Sequence, residues 1–162
     1  MAETLEILRR LKDGGVEFVI IGGVAAVTYG STVATDDVDV CAPMDRDNMV
    51  KVIVALADLE PRWRTRPDMA VVRPDDSYLG QLKNCYLRTT LGPLDILGEI
   101  PGVCGYAEAA ARAVDFDFDG VTCKVIDVDT LIAAKRVAGR DHDLRTIEIL
   151  EELKRQGRIE GA

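Results

Sequence analysis

Ile20-Ile21-Gly22-Gly23, with Asp37-Val38-Asp39-Val40 beginning fourteen residues after Gly23, is the stretch whose reading decides the fold. An apolar run that meets two glycines reads as a buried strand that stops abruptly. In Asp37-Val38-Asp39-Val40 valines alternate with carboxylates. A strand has a side-chain period of two, so Asp37 and Asp39 project from one face. Adjacent carboxylates raise one another's pKa unless a cation bridges them. Oxygen ligands suit hard cations such as Mg²⁺, which is held by one or two carboxylates together with substrate phosphates.

Working outward, Leu5, Ile7, Leu8 and Leu11 share one face of a predicted helix over 3–13, which Gly14-Gly15 end. A buried strand is expected over Val16–Ile21, and a short helix from Val24 to Tyr29, closed by Gly30. Val38–Ala42 reads as a second strand and Asp45–Leu59 as a helix. Arg62–Arg73 is weakly patterned, with a strand and irregular flanks expected. Asn84–Thr90 and Leu94–Leu97 read as strands turned at Leu91-Gly92-Pro93. Val114–Phe118 and Val121–Ile126 form an expected hairpin about Asp119-Gly120. Thr130–Ala138 and Leu144–Gln156 read as two closing helices. No repeat, low-complexity segment or linker divides the chain, so the expectation is one α+β domain over 1–162 with a mixed sheet.

Composition bounds the function. The 162 residues are 48% hydrophobic and 30% charged, as in an ordinary globular protein with a real core. The net charge of −8 excludes a globally basic nucleic-acid surface. The N-terminus does not read as a signal peptide, and no apolar stretch approaches the ~20 residues that span a bilayer, so no membrane partner is expected. Cys41, Cys85, Cys104 and Cys123 are scattered without a C-x-x-C, which reads as reduced thiols in a cytoplasmic protein. His142 is the single histidine, which excludes a multi-histidine zinc site. Neither G-x-x-x-x-G-K-[ST] nor G-x-G-x-x-G occurs.

The Gly-Gly turn, the D-x-D strand and a third acid, Asp95 in Leu94-Asp95-Ile96-Leu97, resemble the DNA polymerase β-like nucleotidyltransferase superfamily. The run Gly22-Gly23-Val24-Ala25-Ala26, Tyr29-Gly30, Thr35, Asp37-Val38-Asp39 is similar to the stand-alone bacterial branch related to AbiEii-type toxins. So is the tail from Asp129 to Arg136, with Gly139-Arg140-Asp141-His142-Asp143-Leu144. The resemblance covers about residues 15–150. It implies a nucleotidyltransferase fold, a mixed sheet flanked by helices with C-terminal closing helices. It also implies metal-dependent transfer of NMP from an NTP to an acceptor hydroxyl, with release of pyrophosphate. Asp37, Asp39 and Asp95 would be the catalytic acids and the ligands of Mg²⁺ or Mn²⁺; two ions about 3.5–4 Å apart stabilise the attacking and leaving oxygens. Asp95 would help remove the acceptor proton. Gly22 and Gly23 would let backbone N–H groups approach the triphosphate at a helix start. Thr35, Lys135 and Asp143 are the further nucleotide-binding candidates.

Two positions depart from the family pattern. Val33 stands where related toxins commonly carry Arg, and Asp36 where many smaller members carry Ser. The missing basic contact is then expected from Lys135 or Arg140. These departures allow a second reading, a catalytically weak nucleotide-binding module of a toxin–antitoxin-type two-protein system. A phosphotransferase on the same fold is a third. The acceptor is a small molecule, a protein side chain or an RNA end, the last through a local patch of Arg62, Arg64, Arg66 and Arg73. A homodimer or a cognate partner protein would complete a short chain's acceptor site.

Other features read blandly. Asp115-Phe116-Asp117-Phe118-Asp119-Gly120 imitates the start of a calcium loop, but the twelfth loop position is Ile126 rather than a bidentate Glu. His142 reads as exposed, Asp36 as a solvated loop acid, and Asp143 as a residue suited to a helix N-terminus.

Overall fold

The structure, a computed structural model, describes residues 1–66 and 68–161. Its frame is a seven-stranded mixed sheet. Helix α1 (Ala2–Asp13) leads into β1 (Val19–Ile21), α2 (Gly22–Tyr29) and β2 (Val38–Cys41). Helix α3 (Arg46–Ala55) and a 3₁₀ turn, Ala57–Leu59, lead to β3 (Arg62–Trp63), β4 (Asn84–Thr89) and β5 (Gly92–Leu97). A small two-stranded ribbon, β6 (Glu99–Ile100) with β7 (Cys104–Gly105), precedes α4 (Tyr106–Arg112). The chain closes with the hairpin β8 (Val114–Phe118) and β9 (Val121–Val125), then α5 (Val128–Ala138) and α6 (Asp141–Arg155). The main sheet runs β3-β4-β5-β2-β1-β9-β8. β1 is parallel to β9 and β2 to β5; the other neighbours are antiparallel.

The central strand β1 is buried at every residue, as its unbroken Val-Ile-Ile run requires. Its neighbours alternate. Val38 and Val40 of β2, Leu94 and Ile96 of β5, and Cys85 and Leu87 of β4 share one buried face. The other face of the same strands carries Asp39, Asp95 and Tyr86 in one row: Asp39 pairs with Asp95, and Asp95 with Tyr86. Helix α2 packs on β1 and β2 and meets α5 and α6, so the closing helices stand beside the strand ends that carry the acids.

The α+β class, the mixed sheet and the closing helices are as expected from sequence, with several local corrections. The first strand begins at Val19 rather than Val16, and α2 begins at Gly22 rather than Val24. The helix expected over Asp45–Leu59 stops at Ala55, and a 3₁₀ turn continues the path. The turn between β4 and β5 is Thr90-Leu91, and Gly92 and Pro93 belong to β5. Gly92 takes φ +124°, which favours glycine. Pro93 is tolerated because β2 pairs with β5 only from Leu94 onward, so no ladder bond is lost on that side. Of Arg62–Arg73, only Arg62–Trp63 is strand, and Pro67 lies outside the described residues. The ribbon β6/β7 and α4 had no predicted counterpart, because neither shows a clear period in so few residues. The D-x-D-x-D-G segment is the expected hairpin. α5 and α6 start earlier than expected. Asp127 caps α5 by accepting from the Thr130 N–H at 3.1 Å, and Asp143 is the third residue of α6 in a capping box. The four cysteines are free. Among the described residues no helix is long and apolar enough to cross a membrane.

Candidate active site

The Gly-Gly turn is built by close approach. Gly22 sits at φ +65°, and a Cβ there would collide with the Asp39 carboxylate. A Cβ on Gly23 would lie 2.6 Å from the Thr35 Cβ. The glycines are therefore needed to seat α2 against the acids and against the Thr35 loop. No side chain caps the start of α2 at Ile21, so its first N–H groups are free to meet an anion.

Two cavities flank the Asp37/Asp39 pair. One, of about 360 Å³, is lined by Gly22, Gly23, Val33, Thr35, Asp36 and His142 among others. The other, of about 310 Å³, holds Arg64 and Asp95 against an apolar wall that includes Leu97, Ile100, Pro101 and Leu131. Gly22, Asp37, Asp39, Lys135 and Arg140 line both. Asp143 lines the second. The eight residues singled out from sequence thus converge on one two-lobed cleft, although they come from five separate stretches of chain. The Thr35 hydroxyl donates to the Asp37 carbonyl at 3.4 Å, which ties the loop to the D-x-D strand.

The acids are poorly compensated. The Asp39 carboxylate accepts no hydrogen bond among the described residues. Burial first, then the charges of Asp95 and Asp37, push its pKa up to about 6. Burial also raises Asp95 above the ordinary carboxylate range, against the opposing pull of Arg64. One Arg64 nitrogen, Nη1, lies 2.9 Å from Asp95 Oδ1 and 3.8 Å from Asp37 Oδ2. The contact to Asp95 lacks hydrogen-bond alignment, so Oδ1 remains a buried oxygen without a hydrogen-bond donor. The Arg64 guanidinium also lies over the Tyr86 ring, 5.5 Å from its centroid. Among the described residues, no group of three or more His, Cys, Asp or Glu side chains is arranged to hold a metal ion as it stands. Arg64 is set between two of the three candidates.

The helical side of the cleft is the reverse. Asp143 is 0% exposed and is held by Lys135 Nζ at 3.2 Å and by Arg140 Nε at 2.7 Å. Burial alone would raise its pKa, but the hydrogen bonds from Arg140 and Lys135 win, and it falls below the ordinary value. Lys135 is itself buried, while Arg140 is largely exposed. His142 is exposed, as expected, with Nε2 3.7 Å from Asp143 Oδ1.

The arginine patch expected over Arg62, Arg64, Arg66 and Arg73 is divided. Arg64 turns into the cleft, Arg62 donates to the Met69 carbonyl at 2.9 Å, and Arg66 pairs with Asp68. The role of Arg64 beside the acids was not legible in sequence, since no spacing rule links it to Asp95. Only the pairing of β4 with β5, and of the Arg64 N–H with the Tyr86 carbonyl at 3.0 Å, brings it there.

Residues 1–52 match a family described as nucleotidyl transferase of unknown function (DUF2204). No match was found among curated proteins. Three solved structures are similar over most of the chain. A candidate nucleotidyltransferase from Thermotoga maritima is 16% identical with a TM-score of 0.53, covering 93% of this chain and 89% of its own. The antibiotic-resistance factor ANT(2'')-Ia is 15% identical with a TM-score of 0.59, covering 92% and 82%. An antigenic nucleotidyltransferase-like protein from Paracoccidioides brasiliensis is 15% identical with a TM-score of 0.59, covering 93% and 74%. The chain has the nucleotidyltransferase fold, and its first 52 residues match a nucleotidyl transferase family.

Proposed function

We propose that the protein transfers NMP from an NTP to an acceptor hydroxyl in a divalent-metal-dependent reaction, at the face where Asp37 and Asp39 divide the cleft. The observation that carries this reading is the shared wall: the same two carboxylates line a lobe floored by the Gly-Gly turn and a lobe that contains Asp95. A donor triphosphate in the first lobe and an acceptor in the second would meet at the acids.

The residues fit Mg²⁺ or Mn²⁺ by their chemistry. Asp39 and Asp95 are paired oxygen donors on one sheet face with Asp37 just before the strand, Asp95 Oδ1 is buried without a donor, and burial followed by the neighbouring acids raises the Asp39 pKa. Asp37 and Asp39 would hold the ion, with Asp95 completing the acceptor side. Bound there, the ion supplies electrostatic stabilisation of charge at the transferring phosphorus. The chain's own contributions are the rest. The free N–H groups of α2 bind and orient the triphosphate, helped by the positive end of the helix. Thr35 holds the loop that borders it. Lys135 and Arg140, fixed by Asp143, place positive charge where the two lobes join. Asp95, raised by burial, is suited to take the acceptor proton. The apolar wall of the second lobe excludes water that would otherwise compete as acceptor. A partner protein or second copy could extend this lobe.

One observation favours a second reading, the weak nucleotide-binding module. Val33 places no charge in the donor lobe, and both cations there are already engaged by Asp143. Calorimetric titration of ATP, CTP, GTP and UTP with Mg²⁺, in wild type and Asp37→Ala/Asp39→Ala, tests the site. Metal-dependent binding that vanishes in the double variant supports it. Pyrophosphate release in the presence of candidate acceptors then separates transfer from binding alone, and binding that persists unchanged in the double variant overturns the assignment.

A further inference from the structure

We propose that Arg64 is a built-in counter-cation, seated between Asp37 and Asp95 in the position of the acceptor-side divalent ion, and that it must be displaced before that ion can load. The inference rests on the metal reading of the site given above and adds a residue that competes for it.

Four observations carry it. First, a single nitrogen of Arg64 reaches both carboxylates, at 2.9 and 3.8 Å, so it occupies the space where a shared cation would sit. Second, the seat is imperfect. Asp95 Oδ1 receives no aligned hydrogen bond, and a charge pair without it holds less firmly than the forked arginine–carboxylate geometry would. Third, an alternative seat is beside it: the guanidinium already lies over the half-exposed Tyr86 ring, and its own side chain is 31% exposed, so withdrawal toward the ring or solvent needs no opening of the core. Fourth, beyond the bond from its N–H to the Tyr86 carbonyl, its segment is not held in a helix or strand. Arg64 follows the two-residue edge strand β3, and the described residues from Arg64 to Lys83 contain no helix or strand.

The balance of charge gives the arrangement its direction. Of the three carboxylates, Asp37 and Asp95 meet one guanidinium at close range. The arginine relieves repulsion between Asp37 and Asp95. A divalent ion brings twice the charge to the same oxygens and outcompetes the arginine once it is present at sufficient concentration. Arg64 would thus set the metal concentration at which the acceptor side assembles. It is a positioning residue that acts through Asp37 and Asp95.

The test uses Mn²⁺ alone as the probe, read by the paramagnetic resonance signal of the free ion, with wild type, Arg64→Ala, Arg64→Lys and Arg62→Ala. Arg62 loses the same charge from the same edge strand but serves the Met69 carbonyl. The expected result is Mn²⁺ binding about tenfold tighter in Arg64→Ala than in wild type, with Arg64→Lys between them and Arg62→Ala unchanged. Thermal midpoints measured with and without Mn²⁺ should show a larger Mn²⁺-induced rise in Arg64→Ala than in wild type. If Arg64→Ala misfolds, the comparison is carried by Arg64→Lys. Equal or weaker Mn²⁺ binding in a folded variant overturns the role of Arg64 and leaves the metal site standing. Binding by none of the proteins overturns both.

Discussion

Half-buried Asp39 and fully buried Asp143 are two acids on opposite sides of one cleft, and the chain treats them in opposite ways. Asp143 is enclosed by Lys135 and Arg140 and is held below its ordinary pKa. Asp39 accepts no hydrogen bond among the described residues, faces two other acids and is pushed up to about 6. Burial costs both of them hydration. The helical acid regains it from fixed donors, whereas the sheet acid does not. A carboxylate raised by burial and like charges beside a cleft marks a candidate functional site, so the comparison separates an enclosed acid from one left open to the proposed ligand.

The comparison breaks most severely at Asp143. Asp143→Ala leaves Lys135 buried without its partner, and a loss of about 3 kcal/mol is expected in urea unfolding at pH 7. Because the folded pKa is depressed, this stabilisation is complete above the ordinary carboxylate value and fades as pH falls below about 4. The difference between wild type and variant should therefore narrow on acidification. An unchanged difference would place the cost in packing rather than charge.

Gly22→Ala is expected to cost about 2 kcal/mol, from the left-handed backbone and the collision with Asp39, and to abolish metal-dependent NTP binding in titration calorimetry. Retention of binding would separate the turn from the site.

Asp39→Asn has the opposite sign. Asp39 binds its proton more tightly in the folded chain than in the unfolded one, so the wild type loses stability as pH rises from about 4 to 6. The asparagine variant escapes this and should be more stable by about 1–2 kcal/mol at pH 8, with no gain below about pH 4. Thermal melts across this range check it, and calorimetry should show that the gain comes with loss of Mg²⁺-dependent NTP binding. A destabilised Asp39→Asn would mean that the carboxylate has donors of its own, and the contrast with Asp143 would fail.

The smallest effect is expected at His142, which lies beside Asp143 but is exposed. His142→Ala should change stability by less than about 0.5 kcal/mol at pH 7. A larger loss would add a third cation to the enclosure of Asp143 and sharpen the contrast further.

Much of this site was legible before the fold. The alternation of Val38 and Val40 with Asp37 and Asp39 predicted both acids on one face; β2 shows that parity for Asp39, and Asp37 lies just before the strand. Gly22-Gly23 announced a turn that no Cβ tolerates. Leu94-Asp95-Ile96-Leu97 carried its acid at the alternating position that β5 turns to the same side. Local boundaries were less legible where a cap or a turn competes with periodicity. The capping box of α6 and the Asp127 cap of α5 extended both helices, and Gly92 drew Pro93 into β5.

Sequence by itself determined which residues face together along each element, because the strand period and glycine's missing side chain are properties of the local chain. It determined the acid-bearing strand, the glycine turn and the fold class. Tertiary structure alone decided what those acids meet. The placement of β5 beside β2 set Asp95 opposite Asp39, the edge strand β3 carried Arg64 back to them, and the crossing of α5 and α6 enclosed Asp143 with Lys135. Electrostatic environment depends on distance through space and on burial, and neither is a function of separation along the chain.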